Sequence, residues 1–226
     1  MKFSTENPRL RKAAKRCVLC LPINMNSLAK NKYDLLYKSM GFERSELFEL
    51  IKQEFNPRSV IYPGCSVHIT PSFYFNHVVY IDKNQIASDF FANADIVTDL
   101  INKNKRYKET SYWKFIPKDF KIDLGLRYAS FDLLLSLFAG KLIDYCEQYI
   151  KPGGLILTSS LFSDNESIKE KDNFVLIGLI KRKKHKYIID SNSNLSKSNK
   201  SKLQPKYNGL EYIDNECYYL YRKMNK

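Results

Sequence analysis

Short apolar runs alternate along the chain with stretches whose apolar residues recur every three or four positions. The runs are Ser59-Val-Ile-Tyr62, Val78-Val-Tyr-Ile81, Trp113-Lys-Phe-Ile116, Phe131-Asp-Leu-Leu-Leu-Ser-Leu137, Leu155-Ile-Leu-Thr158, Phe174-Val-Leu-Ile177 and Tyr218-Tyr-Leu-Tyr221. Between them the period changes. Leu28, Leu35, Leu36 and Met40 share one helical face that Gly41 ends. Leu47, Phe48, Ile51 and Phe55 form a second stripe, opened by Ser45 as N-cap and stopped by Asn56-Pro57, because a residue before proline disfavours the α region. Residues 85–102 carry a third, through Ile86, Phe90, Ile96, Leu100 and Ile101, and residues 142–149 a fourth. Apolar runs without strict alternation suit strands covered on both faces, and strands alternating with helices imply βαβ units around a parallel sheet. The pattern predicts an α/β domain over 57–226 and an N-terminal helical extension over 1–56. Residues 181–208 are rich in Lys, Ser and Asn apart from Tyr187-Ile-Ile189, and most of the segment reads as a mobile loop before the last strand.

Composition narrows the class. The 226 residues are 44% hydrophobic, enough to fill a core, yet no apolar run approaches the roughly 18 residues of a membrane span. The basic start followed by Cys17-Val-Leu-Cys-Leu-Pro-Ile23 superficially resembles a signal peptide, but the apolar part is short, contains Pro22 and lacks a small-residue cleavage site. Five scattered cysteines argue against a disulfide framework and for a reducing compartment, so a cytoplasmic location is expected. Cys17 and Cys20 form one CxxC pair without the second pair of ligands that zinc needs, and no metal is expected. The net charge of +13 attracts phosphates and makes nucleic acid a candidate partner, although an excess of Lys over Arg and abundant Asn also describe an ordinary surface encoded by an AT-rich genome.

In an open parallel sheet, ligands bind beyond the carboxyl ends of the strands. Gly64 ends the first run, and the missing Cβ lets backbone N–H groups approach a ligand. Thr70-Pro71 reads as N-cap and first residue of the next helix, a start that favours an anion. Asp82 ends the second run 18 residues after Gly64, a spacing that suits a carboxylate accepting from ribose hydroxyls. Asp119 follows the third run and can accept from an amino group such as that of adenine; Ser136 lies near the end of the fourth. Taken singly, a strand-end Asp is as readily a helix N-cap. Four such positions in order point to one groove.

These residues resemble the motifs of class I S-adenosylmethionine-dependent methyltransferases. Val60-Ile-Tyr-Pro-Gly-Cys-Ser66 resembles their glycine-rich first motif, Val79-Tyr-Ile-Asp82 the second, Phe115-Ile-Pro-Lys-Asp119 the third, Phe131-Asp-Leu-Leu134 the fourth, and Ile150-Lys-Pro-Gly-Gly-Leu-Ile-Leu157 the entry to strand five. The resemblance covers residues 57–226. It implies a three-layer, Rossmann-like sheet of about seven strands with the last antiparallel, and S-adenosyl-L-methionine as cofactor. By position, Gly64 and Ser66 would face the methionine part, Asp82 would hold the ribose with Lys83 beside it, Asp119 and Phe120 would meet the adenine, and Ser136 would line the floor. The chain departs from the family at Tyr62, where an acidic residue is usual, and at Ser66 and His68, where glycines are. These departures support an alternative, a catalytically inactive methyltransferase-like module that binds a protein partner or RNA. His68 reads more readily as a helix-entry residue than as a catalytic one. Ser136-Leu-Phe-Ala-Gly140 lacks the Asn/Asp-Pro-Pro-Tyr motif of amino-group nucleobase methyltransferases, and the sequence names neither an acceptor nor a general base.

Overall fold

The structure is a computed structural model that describes residues 30, 32–39, 41–137, 140–159, 164–183, 186–191, 203–206, 210–213 and 217–225. Cys17, Cys20, Leu28 and Met40 lie outside the described residues. A short π-helical segment, Asp34–Lys38, precedes α1, Ser45–Phe55. Then follow β1 (Ser59–Pro63), α2 (Pro71–Tyr74), β2 (His77–Ile81), α3 (Gln85–Phe91), α4 (Ala94–Asn104), β3 (Tyr112–Ile116) and β4 (Phe131–Ser136). The second half contains α5 (Ile143–Cys146), β5 (Ile150–Ser159), α6 (Asp164–Lys169), β6 (Phe174–Lys183), β7 (Lys186–Asp190), β8 (Leu203–Lys206), β9 (Leu210–Ile213) and β10 (Cys217–Lys223). The predicted helix over 85–102 is therefore two helices, parted at Ala92 and Asn93. Ser45 is the first helical residue rather than the cap, a place taken by Arg44 in a left-handed conformation (φ 53°).

Eight strands form one sheet in the order β3-β2-β1-β4-β5-β10-β6-β7. The first five are mutually parallel. The last strand, β10, is antiparallel to both β5 and β6. The sheet exceeds the expected seven strands by β7, which pairs antiparallel with β6 through the one apolar triplet of the segment expected to be a loop. β8 and β9 pair with each other in a separate ribbon. The loop expectation for 181–208 is thus corrected at 181–183, 186–190 and 203–206.

Successive side chains on a strand point to opposite faces, and two cores follow from that period. Val60, Tyr62, Val78, Tyr80, Leu133 and Leu135 join the core beneath α1 and α4, which supply Leu47, Phe48, Ile51, Val97 and Ile101. Ile61, Val79, Ile81 and Leu134 join the other, with Ile143 and Cys146 of α5. Two expected core positions fail: Leu35 and Ile86 are exposed. The sheet reverses its direction of growth between β1 and β4, and this places the switch point beside Gly64.

Lys151-Pro-Gly-Gly154, in the expected entry to strand five, lies inside β5 and shifts its register: Phe131 pairs with Ile150, but Leu133 pairs with Leu155. Gly153 has φ +79°, and a Cβ on Gly154 would lie 2.7 Å from Ile150 Cγ2 and 2.9 Å from the Lys151 carbonyl oxygen. At this end of the sheet Asp132 Oδ2 accepts from the amides of Arg58 (3.0 Å) and Ser59 (2.9 Å) and from Ser59 Oγ (2.9 Å), and Oδ1 pairs with Lys151 Nζ at 2.7 Å. Partial burial pushes this carboxyl's pKa up, but Lys151 and the Ser59 and Arg58 donors outweigh it and hold it below the usual value.

Two outcomes follow. Gly154→Ala is expected to lower stability by about 1–3 kcal/mol, because backbone cannot yield as a side chain can; urea titration measures it. Asp132→Ala is expected to cost about 1.5–3 kcal/mol near neutral pH. A depressed carboxylate pKa stabilises the fold above the unfolded pKa of about 4, and that stability is lost as pH falls through the folded value. The gap between variant and parent should therefore narrow below pH ~4, as read by thermal melting across pH.

Candidate functional site: the carboxyl edge of the parallel strands

The turn after β1 keeps the shape of a glycine-rich loop with fewer glycines. Gly64 (φ +66°) donates its amide to the Ile81 carbonyl at 2.7 Å. Two residues on, Ser66 adopts φ +49°, a conformation that costs a non-glycine residue roughly 1–2 kcal/mol. Its amide donates to Asp82 Oδ2 at 2.7 Å, and Asp82 Oδ1 accepts from the Asn84 amide at 2.9 Å. Asn84 in turn caps α3 through Ile86 N–H. Each carboxylate oxygen thus holds one backbone donor, and an ionised carboxylate offers about four acceptor sites, so Asp82 keeps capacity for two more donors.

Lys83 and Asp119 meet at 2.9 Å across the ends of β2 and β3, with Lys83 largely exposed. The hydrogen bond from Lys83 is the main cause holding the Asp119 carboxyl below the usual value; the Lys121 amide adds to it at 3.1 Å. Phe120 is half-buried, its ring 6.1 Å from that of Tyr145 at 63°. Gly64, Ser66 and Asp82 are therefore directly connected, and Lys83, Asp119 and Phe120 continue the same edge.

Ser136 behaves differently. It is fully buried, and its hydroxyl donates to Asp164 Oδ2. Asp164 is buried too, and desolvation raises its pKa despite hydrogen bonds from Ser136 and the start of α5. Ile143 N–H approaches Asp164 Oδ1 at 3.4 Å. Ser136 thus joins β4 to α6 rather than presenting its hydroxyl to an open groove. Sequence reasoning missed Asp164; the available signal was an acidic residue placed to cap a helix just beyond β5.

Thr70 is also turned inward. α2 has only four residues, Thr70 makes no cap bond, and its Oγ1 is 2.8 Å from the Tyr33 hydroxyl. The anion-binding reading of this helix start is corrected: the hydroxyl is buried against the N-terminal segment. That segment covers the turn. Tyr33 donates to Glu43 Oε1 at 2.6 Å. Tyr37 stacks on His68 at 4.4 Å and 12°. Burial pushes the Tyr37 phenol up to about 12.

His68 takes the place of a glycine and Tyr62 that of an acidic residue, and the two are partners. His68 Nδ1 lies 3.0 Å from the Tyr62 hydroxyl, and Nε2 lies 3.1 Å from the Glu43 carbonyl. A carbonyl only accepts, so Nε2 carries the proton and Nδ1 accepts from Tyr62. Burial, aided by the nearby Arg44 guanidinium, lowers the His68 pKa to about 3. The imidazole is a neutral structural group, in keeping with a residue that enters the following helix. Arg44, itself buried, donates to the Tyr218 hydroxyl at 2.5 Å and joins the N-terminal segment to β10. The thiols of Cys65, Cys146 and Cys217 are buried, and desolvation raises their pKa values. Among the described residues no cluster suited to a metal ion occurs, and no helix is long and apolar enough to cross a membrane.

No protein-family model matches the chain, and no curated protein matches it. Among solved structures, a methyltransferase from Geobacter sulfurreducens is similar over 99% of each chain at 11% identity and a TM-score of 0.49. The N-methyltransferase NodS from Bradyrhizobium japonicum is 12% identical over 81% of this chain and 96% of its own, with a TM-score of 0.48. A caffeoyl-CoA O-methyltransferase, so named in Staphylococcus aureus on assumed activity, is 11% identical over 78% and 80%, with a TM-score of 0.47. Likeness at this level says nothing about activity, and the architectural conclusion rests on the strands themselves. Five parallel strands, a switch point at a glycine turn and a reversed last strand make this a three-layer, Rossmann-like α/β fold.

Proposed function

We propose that the chain is an S-adenosylmethionine-dependent methyltransferase of unidentified acceptor, acting in the cytoplasm, with residues 57–226 as the catalytic unit and 1–56 as a helical extension over it. The observation that carries this reading is Asp82: its carboxylate is fixed at the end of β2 by two backbone donors and retains acceptor sites for a ribose diol. Lys83 and Asp119 flank it, and Phe120 with Tyr145 offers aromatic surface for an adenine. The adenosine half of the cofactor fits this edge. The methionine half fits only when Tyr37 leaves His68, because its ring covers that part of the turn. A bound S-adenosylmethionine supplies a sulfonium methyl for in-line displacement; the protein's share is orientation and exclusion of water.

The Tyr37 cover favours a second reading, a methyltransferase-like binding module without transferase activity. Calorimetric titration separates the two. Parent protein is expected to bind S-adenosylmethionine, and Asp82→Ala to weaken it roughly 10–100-fold, the loss of hydrogen bonds to a charged group. Tyr37→Ala is expected to tighten it roughly 5–30-fold, as removal of a competing internal contact of about 1–2 kcal/mol requires. Absence of binding by both the parent and Tyr37→Ala at millimolar cofactor would leave the module reading standing.

A further inference from the structure

Three cavities adjoin at the amino edge of the sheet, the edge opposite Asp82 and Asp119. The first, about 840 Å3, is lined by Lys52, Arg58, His77 and Tyr112, among others. The second, about 350 Å3, shares Arg58 and Lys151 with the first and adds Arg222. The third, about 530 Å3, shares Phe55 and Arg222 with the second and ends at β7. Their linings run from one sheet edge, β3, to the other, across seven interstrand spacings of about 4.8 Å, or roughly 34 Å. That is the length of a groove rather than of a small-molecule pocket.

Its charge is not spent internally. Arg58 and Arg222 are exposed and Lys52 is half-buried, and none of the three forms an ion pair with another described residue. Among the acidic residues of the lining, Asp132 is consumed by Lys151 and the Arg58 and Ser59 donors, which leaves Glu54 and Glu109. Tyr112, on the edge strand, is 63% exposed and offers an open ring face. Beside it Lys105 sits 5.4 Å from the centre of the Tyr107 ring.

We propose that this groove binds single-stranded nucleic acid, with phosphates on Lys52, Arg58 and Arg222 and a base stacked on Tyr112. Spaced cations with an exposed aromatic ring are the combination that holds an unpaired strand, because every base has a π-face and only an unpaired base can use the ring. The length of the groove selects a polymer over a mononucleotide, and the net charge of +13 draws the strand in. This inference goes beyond the adenosyl reading and does not rest on it, since the two sites lie on opposite edges.

Fluorescence anisotropy of the full chain with a labelled oligouridylate of about 12 nucleotides tests it. Binding is expected to weaken between about 50 and 200 mM salt. The Arg58→Glu/Arg222→Glu double variant should lose roughly tenfold or more in affinity. Tyr112→Ala should lose roughly fivefold or more with its salt dependence unchanged. All three positions are exposed, so the variants should melt with the parent. Lys197→Glu/Lys200→Glu, an equal charge change outside the described residues, should alter affinity less than about twofold. The proposal is overturned if the parent does not bind, if the Lys197/Lys200 pair weakens binding as much as the groove pair, or if Tyr112→Ala has no effect. It is equally overturned if uridine monophosphate or a duplex of the same length binds as well as the single strand.

Discussion

The carboxyl edge of the sheet is organised by one charge-assisted hydrogen bond, from the Ser66 amide to Asp82. A left-handed serine costs roughly 1–2 kcal/mol, whereas a hydrogen bond to a charged acceptor contributes about 1.5–3 kcal/mol. The bond therefore offsets the backbone cost, and the turn keeps a glycine-like path without the glycine. It also settles where the Asp82 carboxylate points. With Asn84 N–H on the other oxygen, the group has little rotational freedom and its remaining acceptor sites have fixed directions. A ligand meeting this edge finds a preorganised acceptor rather than a mobile side chain.

Tyr62 and His68 form one coupled pair inside the turn. A histidine at a glycine position needs space and partners for two ring nitrogens inside the protein. Tyr62 supplies one partner and the Glu43 carbonyl the other. Since Glu43 belongs to the segment before α1, that satisfaction requires the N-terminal extension to lie against the turn. Tyr37 then packs on the imidazole. Truncating Tyr62 alone would leave the buried Nδ1 of His68 without its partner, which costs about 1–3 kcal/mol.

The strands were legible in the sequence because β1, β2 and β4 are apolar on both faces, a texture that survives any choice of neighbours. Their order was not, because local pattern says which segments extend and not which pair. The hairpin partner β7 escaped for a physical reason: it is an edge strand whose Lys186 and Ile188 are exposed, so its composition resembles a loop. At the site, Gly64, Asp82 and Asp119 were legible from spacing, since strand ends fix their place. For Ser136 and Thr70, spacing gives position along the edge but not whether a hydroxyl faces solvent or a buried partner such as Asp164 or Tyr33. Glu43, Tyr37 and Arg44 carried no local signal at all; their contacts cross tens of residues.

On the function proposed above, the extension and a methionine-bearing ligand would compete for the same turn. Tyr37 seated on His68 would then exclude such a ligand from that part of the turn. The observed affinity is then the intrinsic one reduced by the fraction of molecules with Tyr37 withdrawn. A buried stacked ring contact of about 1–2 kcal/mol would keep that fraction at roughly 3–15% if nothing else holds the segment. Tyr33, anchored to Glu43 and Thr70, lowers it further. Asp82 lies outside this competition: its contacts are to backbone, and it stays in place whether Tyr37 is seated or not. On that reading the adenosine end would offer the first foothold, and displacement of the tyrosine would follow from contacts that only the rest of the ligand makes.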